Sequence, residues 1–129
     1  MSSKRTFISF DFDHDEDLRN LLVGQAKNSE SPFSISDWSV KEPLTGNWKE
    51  KVRARIRRTE LTIIICGEWT HTATGVAEEL MITREEGNPY FLLWGRNGKT
   101  CNKPTSALPS DKIYSWTWDI LKLLIGGAR

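Results

Sequence analysis

The sequence predicts an α/β fold, a three-layer sandwich in which helices cover both faces of a five-stranded, mainly parallel sheet. Two observations support this prediction. Short apolar segments of strand length alternate along the chain with amphipathic segments of helical length, a pattern typical of parallel sheets. In addition, residues 61–67 read LTIIICG, an apolar run of the kind expected for a central strand that is covered on both faces.

The first strand and the first helix are predicted over residues 6–12 and residues 15–27. The strand segment reads TFISFDF, rich in aromatic and β-branched residues, and a run of aspartates ends it. The helical segment opens with an acidic turn, which the positive end of a helix dipole favours. Four positions in it recur at helical spacing: Leu18, Leu21, Leu22 and Gln25.

A second strand is predicted over residues 33–40, where aromatic and branched residues alternate with serines. Residues 43–46 have turn chemistry. Asn47 can cap the helix that follows, in which lysines and arginines surround a narrow apolar stripe. The stripe comprises Trp48, Val52, Ala54 and Ile56.

The third strand is the apolar run of residues 61–67. A third helix is predicted to begin at Thr74 or Gly75 and to close at Gly87, before an Asn-Pro pair that cannot continue it. Its packing positions are Val76, Leu80 and Ile82.

The fourth strand is predicted over residues 90–94, which read YFLLW. A long polar loop, residues 95–111, leads to a short edge strand at residues 113–116. The final helix covers residues 118–124 and ends at a Gly-Gly pair. Because a chain of this length forms one hydrophobic core rather than two, we expect a single domain over residues 1–129.

The composition indicates a soluble protein of the cytoplasm. Apolar residues make up 38% of the chain and charged residues 27%, and the longest apolar run falls far short of the roughly 20 residues of a membrane span. Residues 1–5 are soon followed by acidic sequence, unlike a signal peptide. Cys66 and Cys101 are expected to be reduced thiols.

Candidate ligand-binding residues lie where the predicted strands end. In an open parallel sheet, ligands bind beyond the carboxyl ends of the strands, near the point where the strand order reverses. The segments at these ends are residues 10–13, 36–40, 68–74 and 94–96. Together they contain the flat rings, hydroxyls and carboxylates that a nucleotide pocket needs.

Several segments, in their order and spacing, resemble the TIR-like family of Thoeris anti-phage proteins. They are FISF in the first strand, DWS at residues 37–39, WKEKVRARI in the second helix, and TIIICGEWT followed by GVAEEL and GNP. The resemblance spans nearly the whole chain and implies a flavodoxin-like fold. That family has a glutamate in a V-x-x-E-[IL] pattern, which Val76, Glu79 and Leu80 match. Gly75 replaces the tryptophan that often precedes the valine.

The resemblance implies cleavage of NAD between nicotinamide and ribose, giving ADP-ribose or a cyclic isomer that signals to an effector protein. Glu79 is then the catalytic residue, because a carboxylate favours the positive charge of an oxocarbenium-like transition state. NAD is the substrate, and we expect neither another cofactor nor a metal. Self-association is also expected, since TIR-like domains tend to act in assemblies. The implied substrate-binding residues are Ser9, Phe10, Asp11, Trp38, Ser39 and Trp69.

The charged segments also have ordinary structural explanations. Glu79 could belong to a solvated acidic helix face together with Glu78, Glu85 and Glu86. Residues 49–58 hold six basic residues, but their apolar stripe faces the core, so we interpret them as a solvated or subunit-contact face. Binding of phosphate in a nucleic acid is the alternative. The net charge of +1 gives no general reason to expect a nucleic-acid or membrane partner.

The candidate tryptophans and histidines also have ordinary structural explanations. Tryptophan side chains more often pack in the core or at its rim than stack on a ligand ring. This applies to Trp38, Trp69 and Trp94. His14 and His71 are too far apart in sequence to indicate zinc spacing, so we expect both to be exposed to solvent.

Two other function classes share this fold. A receiver domain has acidic residues after the first strand, as Asp11 and Asp13 are here, but its third strand ends in a phosphoacceptor aspartate. Here the third strand ends in Gly67 and Glu68, which argues against a receiver. The stronger rival is a non-catalytic TIR-like module that binds a nucleotide or a partner and signals by assembly. Gly75 favours this rival.

Overall fold

The computed structural model describes residues 4–39 and 46–129, and all five strands in these residues belong to one sheet. The strands are β1 (Lys4–Ser9), β2 (Phe33–Trp38), β3 (Leu61–Cys66), β4 (Tyr90–Trp94) and β5 (Ile113–Ser115). The helices are α1 (Glu16–Ala26), α2 (Trp48–Arg57), α3 (Thr74–Glu85) and α4 (Trp118–Ile125). A short 3-10 turn, Thr70–Thr72, precedes α3.

Neighbouring strands all run parallel, in the order β2-β1-β3-β4-β5. The chain leaves β1 for β2 on one side and then crosses to β3 on the other side, so the strand order reverses between β1 and β3. This is the order of flavodoxin-like sheets. The predicted α/β fold is therefore confirmed, with a sheet that is wholly rather than mainly parallel.

The central strand β3 is apolar because helices cover both of its faces. Successive side chains of a strand point to opposite sides, and every residue of β3 is buried. Ile63 and Ile65 pack with the buried leucines of α1 and α4. Ile64 and Cys66 pack instead with Val76 and other residues of the α3 side. The two packed layers thus place α1 and α4 on one face and α3 on the other.

The end of β1 differs from the prediction. The strand ends at Ser9 rather than at residue 12. The residues that follow Ser9 form hydrogen bonds with side chains instead of with a neighbouring strand. The Phe10 backbone N–H donates to Ser39 Oγ, and Asp11 Oδ1 accepts from the backbone N–H of Asp13. Such local side-chain bonds compete with a strand ladder. Residues 10–13 therefore leave the sheet at its carboxyl edge.

Most other boundaries fall within two residues of those predicted. Residue 40 of the predicted second strand and residues 43–45 of the predicted turn lie outside the described residues. None of the helices in residues 4–39 and 46–129 has the length and apolarity needed to span a membrane.

Two positions that were predicted to pack are exposed. Leu21 on α1 is 56% exposed, whereas Leu18 and Leu22 are buried. Ala54 is also exposed, because it lies two residues from Val52, on the opposite side of a helix that turns about 100° per residue. Both helices therefore use a narrower buried stripe than the sequence predicted.

The basic side of α2 is paired with the acidic side of α3. Arg53 donates to Glu85 Oε1 at 2.8 Å and to Glu86 Oε2 at 2.7 Å. Arg57 donates to Glu86 Oε1 at 2.6 Å, and the Arg57 and Arg53 guanidiniums lower the pKa of Glu86. These arginines are partly or largely exposed, and both pair with glutamates of α3 within the chain.

Both cysteines are buried and free, in agreement with the prediction of reduced thiols. Burial raises the pKa of the Cys66 thiol. The thiol at this position therefore stays protonated and packs as a small apolar group.

The close approach of α1 to the end of β4 can be tested at Gly95. A Cβ there would lie 2.7 Å from Leu18 Cδ1 and 2.8 Å from the carbonyl oxygen of Cys66. We expect Gly95→Ala to lower the free energy of unfolding by about 1–3 kcal/mol, because the backbone carbonyl has no room to move. Gly24→Ala is the control, since open space surrounds Gly24 and alanine favours a helix by roughly 0.5–1 kcal/mol. Urea denaturation measures both; a Gly95→Ala variant as stable as wild type would contradict this packing.

Candidate functional site

A cavity of about 300 Å³ opens at the carboxyl edge of the sheet. It lies where the strand order reverses, the position at which open parallel sheets bind ligands. Its walls come from the β1–α1 loop (residues 10–14), from Ser39 just after β2, from Trp48, and from residues 72–76 with Glu79. The cavity thus lies between the residues that follow β1 and β2 and the first turns of α3.

Glu79 is a buried carboxylate in the wall of this cavity. Its side chain projects from α3, and the residue is only 3% exposed. Glu79 Oε1 accepts a hydrogen bond from Ser9 Oγ at 2.7 Å and another from Ser39 Oγ at 2.5 Å. Ser39 is fixed in turn, because its backbone N–H donates to the carbonyl oxygen of Ile8 at 2.9 Å. One carboxylate oxygen therefore joins β1, the end of β2 and α3.

The environment of Glu79 changes its acidity. Burial raises its pKa from 4.5 to about 7, while the hydrogen bonds from Ser39 and Ser9 act in the opposite direction. Burial dominates because an ionised carboxylate loses its hydration there. With a pKa of about 7, both protonation states are populated near neutral pH, as is common for groups at functional sites. Glu79 is therefore separate from the solvated acidic face of α3.

The structure brings most of the predicted substrate-binding residues to this cavity. Phe10, Asp11 and Ser39 line it, and Ser9 reaches it through its hydrogen bond to Glu79. Which of them bind substrate stays a prediction.

Trp38 and Trp69 lie elsewhere. The Trp38 ring packs with the core cluster on the side of α1, where the Arg19 guanidinium covers it at 4.8 Å from the ring centroid. The structure therefore does not bring Trp38 into the cavity. Trp69 stands outside the cavity wall and contacts His14, which is part of that wall. His14 and His71 are both exposed, as predicted.

Trp48 is a cavity residue that the sequence analysis assigned only to the packing stripe of α2. It is buried, and its Cζ2 atom would lie 3.9 Å from a Cβ at Gly75. The absence of a side chain at Gly75 leaves space beside this indole. An aromatic ring therefore stands next to position 75 although the residue there is glycine.

Arg96 anchors the acidic loop that lines the cavity. From the end of β4 it donates to Asp17 Oδ1 at 2.8 Å, to Asp15 Oδ1 at 3.1 Å and to the carbonyl oxygen of His14 at 3.0 Å. The Arg96 guanidinium lowers the pKa of Asp17, whereas burial raises the pKa of Asp15. His14 Nδ1 also lies 2.6 Å from Asp11 Oδ2. Much of the acidic run is therefore structural.

The acidic residues do not form a metal site within the described part of the chain. No group of three or more His, Cys, Asp or Glu side chains is placed there to hold a metal ion. The expectation that no metal takes part stays a prediction.

Comparison with known protein families gives a match over most of the chain. Residues 7–99 match the family described as Thoeris protein ThsB, TIR-like domain. The matched region contains Ser9, Ser39 and Glu79 and the residues that line the cavity. No match was found among curated proteins.

The raised pKa of Glu79 predicts a stability that depends on pH. The unfolded chain releases this proton near pH 4.5 and the folded chain near pH 7. The free energy of unfolding therefore falls as the pH rises between these values, by about 3 kcal/mol in total. Glu79→Gln stays neutral, so its stability relative to wild type should increase by about 2–3 kcal/mol from pH 5 to pH 8.

Urea denaturation of both proteins at several pH values measures this difference. Glu78→Gln is the matched control, since Glu78 lies outside the cavity wall and pairs with Lys49; it should keep the pH dependence of wild type. A difference between Glu79→Gln and wild type that stays constant with pH would mean that Glu79 is not a buried acid.

Proposed function

This chain belongs to the TIR-like domain family of the Thoeris protein ThsB, and on that premise we propose that it cleaves NAD between nicotinamide and ribose. The product is ADP-ribose or a cyclic isomer, and it serves as a signal to an effector protein in anti-phage defence. The observation that carries the proposal is Glu79, a buried carboxylate that two serine hydroxyls hold in the cavity wall.

The chemistry requires a negative charge close to the ribose. When the bond between ribose C1′ and the nicotinamide nitrogen breaks, the electron pair leaves with the neutral nicotinamide ring, and positive charge develops on C1′ and the ring oxygen. An ionised Glu79 stabilises this charge, and a carboxylate removed from water does so more strongly than an exposed one. Water then captures C1′ and loses a proton to solvent to give ADP-ribose, or an atom of the same molecule captures C1′ to give a cyclic product.

The cavity suits the nicotinamide end of NAD. That end carries the positive charge of the pyridinium ring, and Asp11, Asp13 and Glu79 all line the cavity. Phe10 and Trp48 supply aromatic surface there. Ser9 and Ser39 keep the carboxylate in one orientation, which limits the reorganisation needed in the transition state.

The remaining parts of the proposal concern partners and location. We propose NAD and an effector protein as partners, together with further copies of this chain in an assembly, and the cytoplasm as the compartment. The two free, buried thiols are in line with a reducing compartment. No membrane or nucleic-acid partner is part of the proposal, and two arginines of α2, Arg53 and Arg57, pair with glutamates of α3.

The alternative function is a non-catalytic module that binds a nucleotide or a protein and signals by assembly. Gly75 favours it, since a glycine supplies no ring for stacking. Trp48 weakens this argument, because its indole lies beside position 75 and lines the cavity.

Release of nicotinamide from NAD tests the proposal. We expect wild-type protein to release nicotinamide at high protein concentration or in lysate from phage-infected cells. Glu79→Gln should lower the rate by at least about 100-fold, because it removes the charge that the transition state needs.

Glu78→Gln is again the matched control, since it removes a neighbouring carboxylate outside the cavity wall, and it should retain the wild-type rate. Equal release by wild type and Glu79→Gln would contradict the role of Glu79. No release by wild type under either condition would favour the non-catalytic module.

The pH dependence of catalysis gives a second test. The ionised form of Glu79 is the active one, and its pKa is about 7. We therefore expect kcat/KM to rise about tenfold per pH unit below that value and to level off above it. Ser39→Ala should move the midpoint to higher pH, because the hydrogen bond from Ser39 lowers the pKa of Glu79. A profile that is flat from pH 5 to pH 8 would contradict this assignment.

A further inference from the structure

Three aromatic rings form a surface beside the cavity. The Trp69 ring lies 5.7 Å from that of His14 and 6.5 Å from that of His71, with interplanar angles of 29° and 20°. Trp69 is 51% exposed, an unusual state for so large an apolar side chain. We call His14, Trp69 and His71 the aromatic ledge. Nothing in the proposed cleavage step uses it.

The backbone around the ledge is held firmly. Thr70 is fully buried, and its Oγ1 accepts from the backbone N–H of Gly67 at 2.7 Å. The backbone N–H and the hydroxyl of Thr72 both donate to the carbonyl oxygen of Trp69, at 2.9 and 2.7 Å. His14 is held by Asp11 at one ring nitrogen. An exposed ring on such a support binds a flat partner with little loss of conformational entropy.

The ledge is continuous with the cavity. His14 and Thr72 line the cavity and also contact Trp69. At about 300 Å³ the cavity is at the lower end of the range for ligand sites, about 300–1,000 Å³. It therefore holds one end of a dinucleotide, and the rest must lie at its rim.

The negative charge of the cavity determines which end of the dinucleotide enters it. The carboxylates of Asp11, Asp13 and Glu79 line the cavity, so they attract the cationic nicotinamide ring and repel the diphosphate. The diphosphate is therefore expected outside, and the purine base beyond it reaches the rim. There the ledge offers ring surface, and stacking on an aromatic side chain is the usual way in which proteins hold an unpaired base.

Other tryptophans near this edge offer less free surface. Arg19 covers the ring of Trp38, and Trp48 is buried. Trp94 is partly buried, and its Nε1–H donates to the carbonyl oxygen of Arg96. The exposed ring of Trp69 is therefore the better platform.

We infer that the aromatic ledge of His14, Trp69 and His71 is the subsite for the purine base of the dinucleotide. This inference rests on the proposed function, because the choice of ligand comes from it. Trp69 supplies most of the stacking surface, and the two histidines flank it. The ledge adds affinity and selects for a purine; it takes no part in breaking the bond.

Binding of AMP tests the inference without any catalytic step, since AMP carries the purine but no nicotinamide bond. Wild type should bind AMP, as measured by NMR titration. Trp69→Ala should weaken binding by roughly 5- to 100-fold, the loss expected for one base stacked on an aromatic ring. Trp69→Phe should retain most of the affinity. Leu123→Ala, which removes an exposed side chain on α4, is the control and should bind as wild type does.

A kinetic readout separates stacking from a structural role. Trp69→Ala should raise KM for NAD more than it lowers kcat, and it should leave the cleavage of nicotinamide mononucleotide, which lacks the purine, close to that of wild type. The inference is overturned if wild type does not bind AMP, or if Trp69→Ala binds it as tightly as wild type. Failure of the proposed function gives a different result: AMP would bind through Trp69, but wild type would release no nicotinamide from NAD.

Discussion

The hydrogen bonds from Ser9 and Ser39 to Glu79 are the interaction on which the site depends. They meet at one buried carboxylate oxygen and connect β1, the end of β2 and α3. The strand order makes this possible, because β1 lies between β2 and β3, so side chains from both sides of the reversal point converge. Burial of the carboxyl group opposes stability above neutral pH. A buried ionisable group that lowers stability is typical of sites where function limits stability.

The sequence predicted the secondary structure well because its periodic patterns and turn residues agree with the final packing. The apolar run of β3, the Gly-Asn-Pro end of α3 and the alternation of strands and helices all depend on local chemistry. The end of β1 was misplaced because side-chain hydrogen bonds at Asp11 and Ser39 compete with the strand ladder. The bond from the Phe10 backbone to Ser39 spans 29 residues, so no local pattern shows it, whereas the bond between Asp13 and Asp11 is local.

The candidate site was predicted in part. The pattern of Val76, Glu79 and Leu80 identified the carboxylate, but neighbouring glutamates look alike in sequence. Only the packing of α3 buries Glu79 and leaves Glu85 on the surface, paired with α2. The tryptophans were harder to place. The periodicity of a strand or helix indicates whether a side chain is buried, but not whether its ring lines a ligand cavity. Trp38 lies on the α1 side, while Trp48, which was predicted only to pack in the stripe of α2, lines the cavity.

We propose that Glu79 lies beside the nicotinamide ribose of bound NAD. A crystal structure of Glu79→Gln protein soaked with NAD tests this placement, because the variant should bind the dinucleotide without consuming it. We expect the nicotinamide ribose in contact with residue 79, near Ser9 and Ser39, and the purine base against Trp69. NAD bound elsewhere on the protein, or bound in this cavity with its nicotinamide end turned away from residue 79, would contradict it.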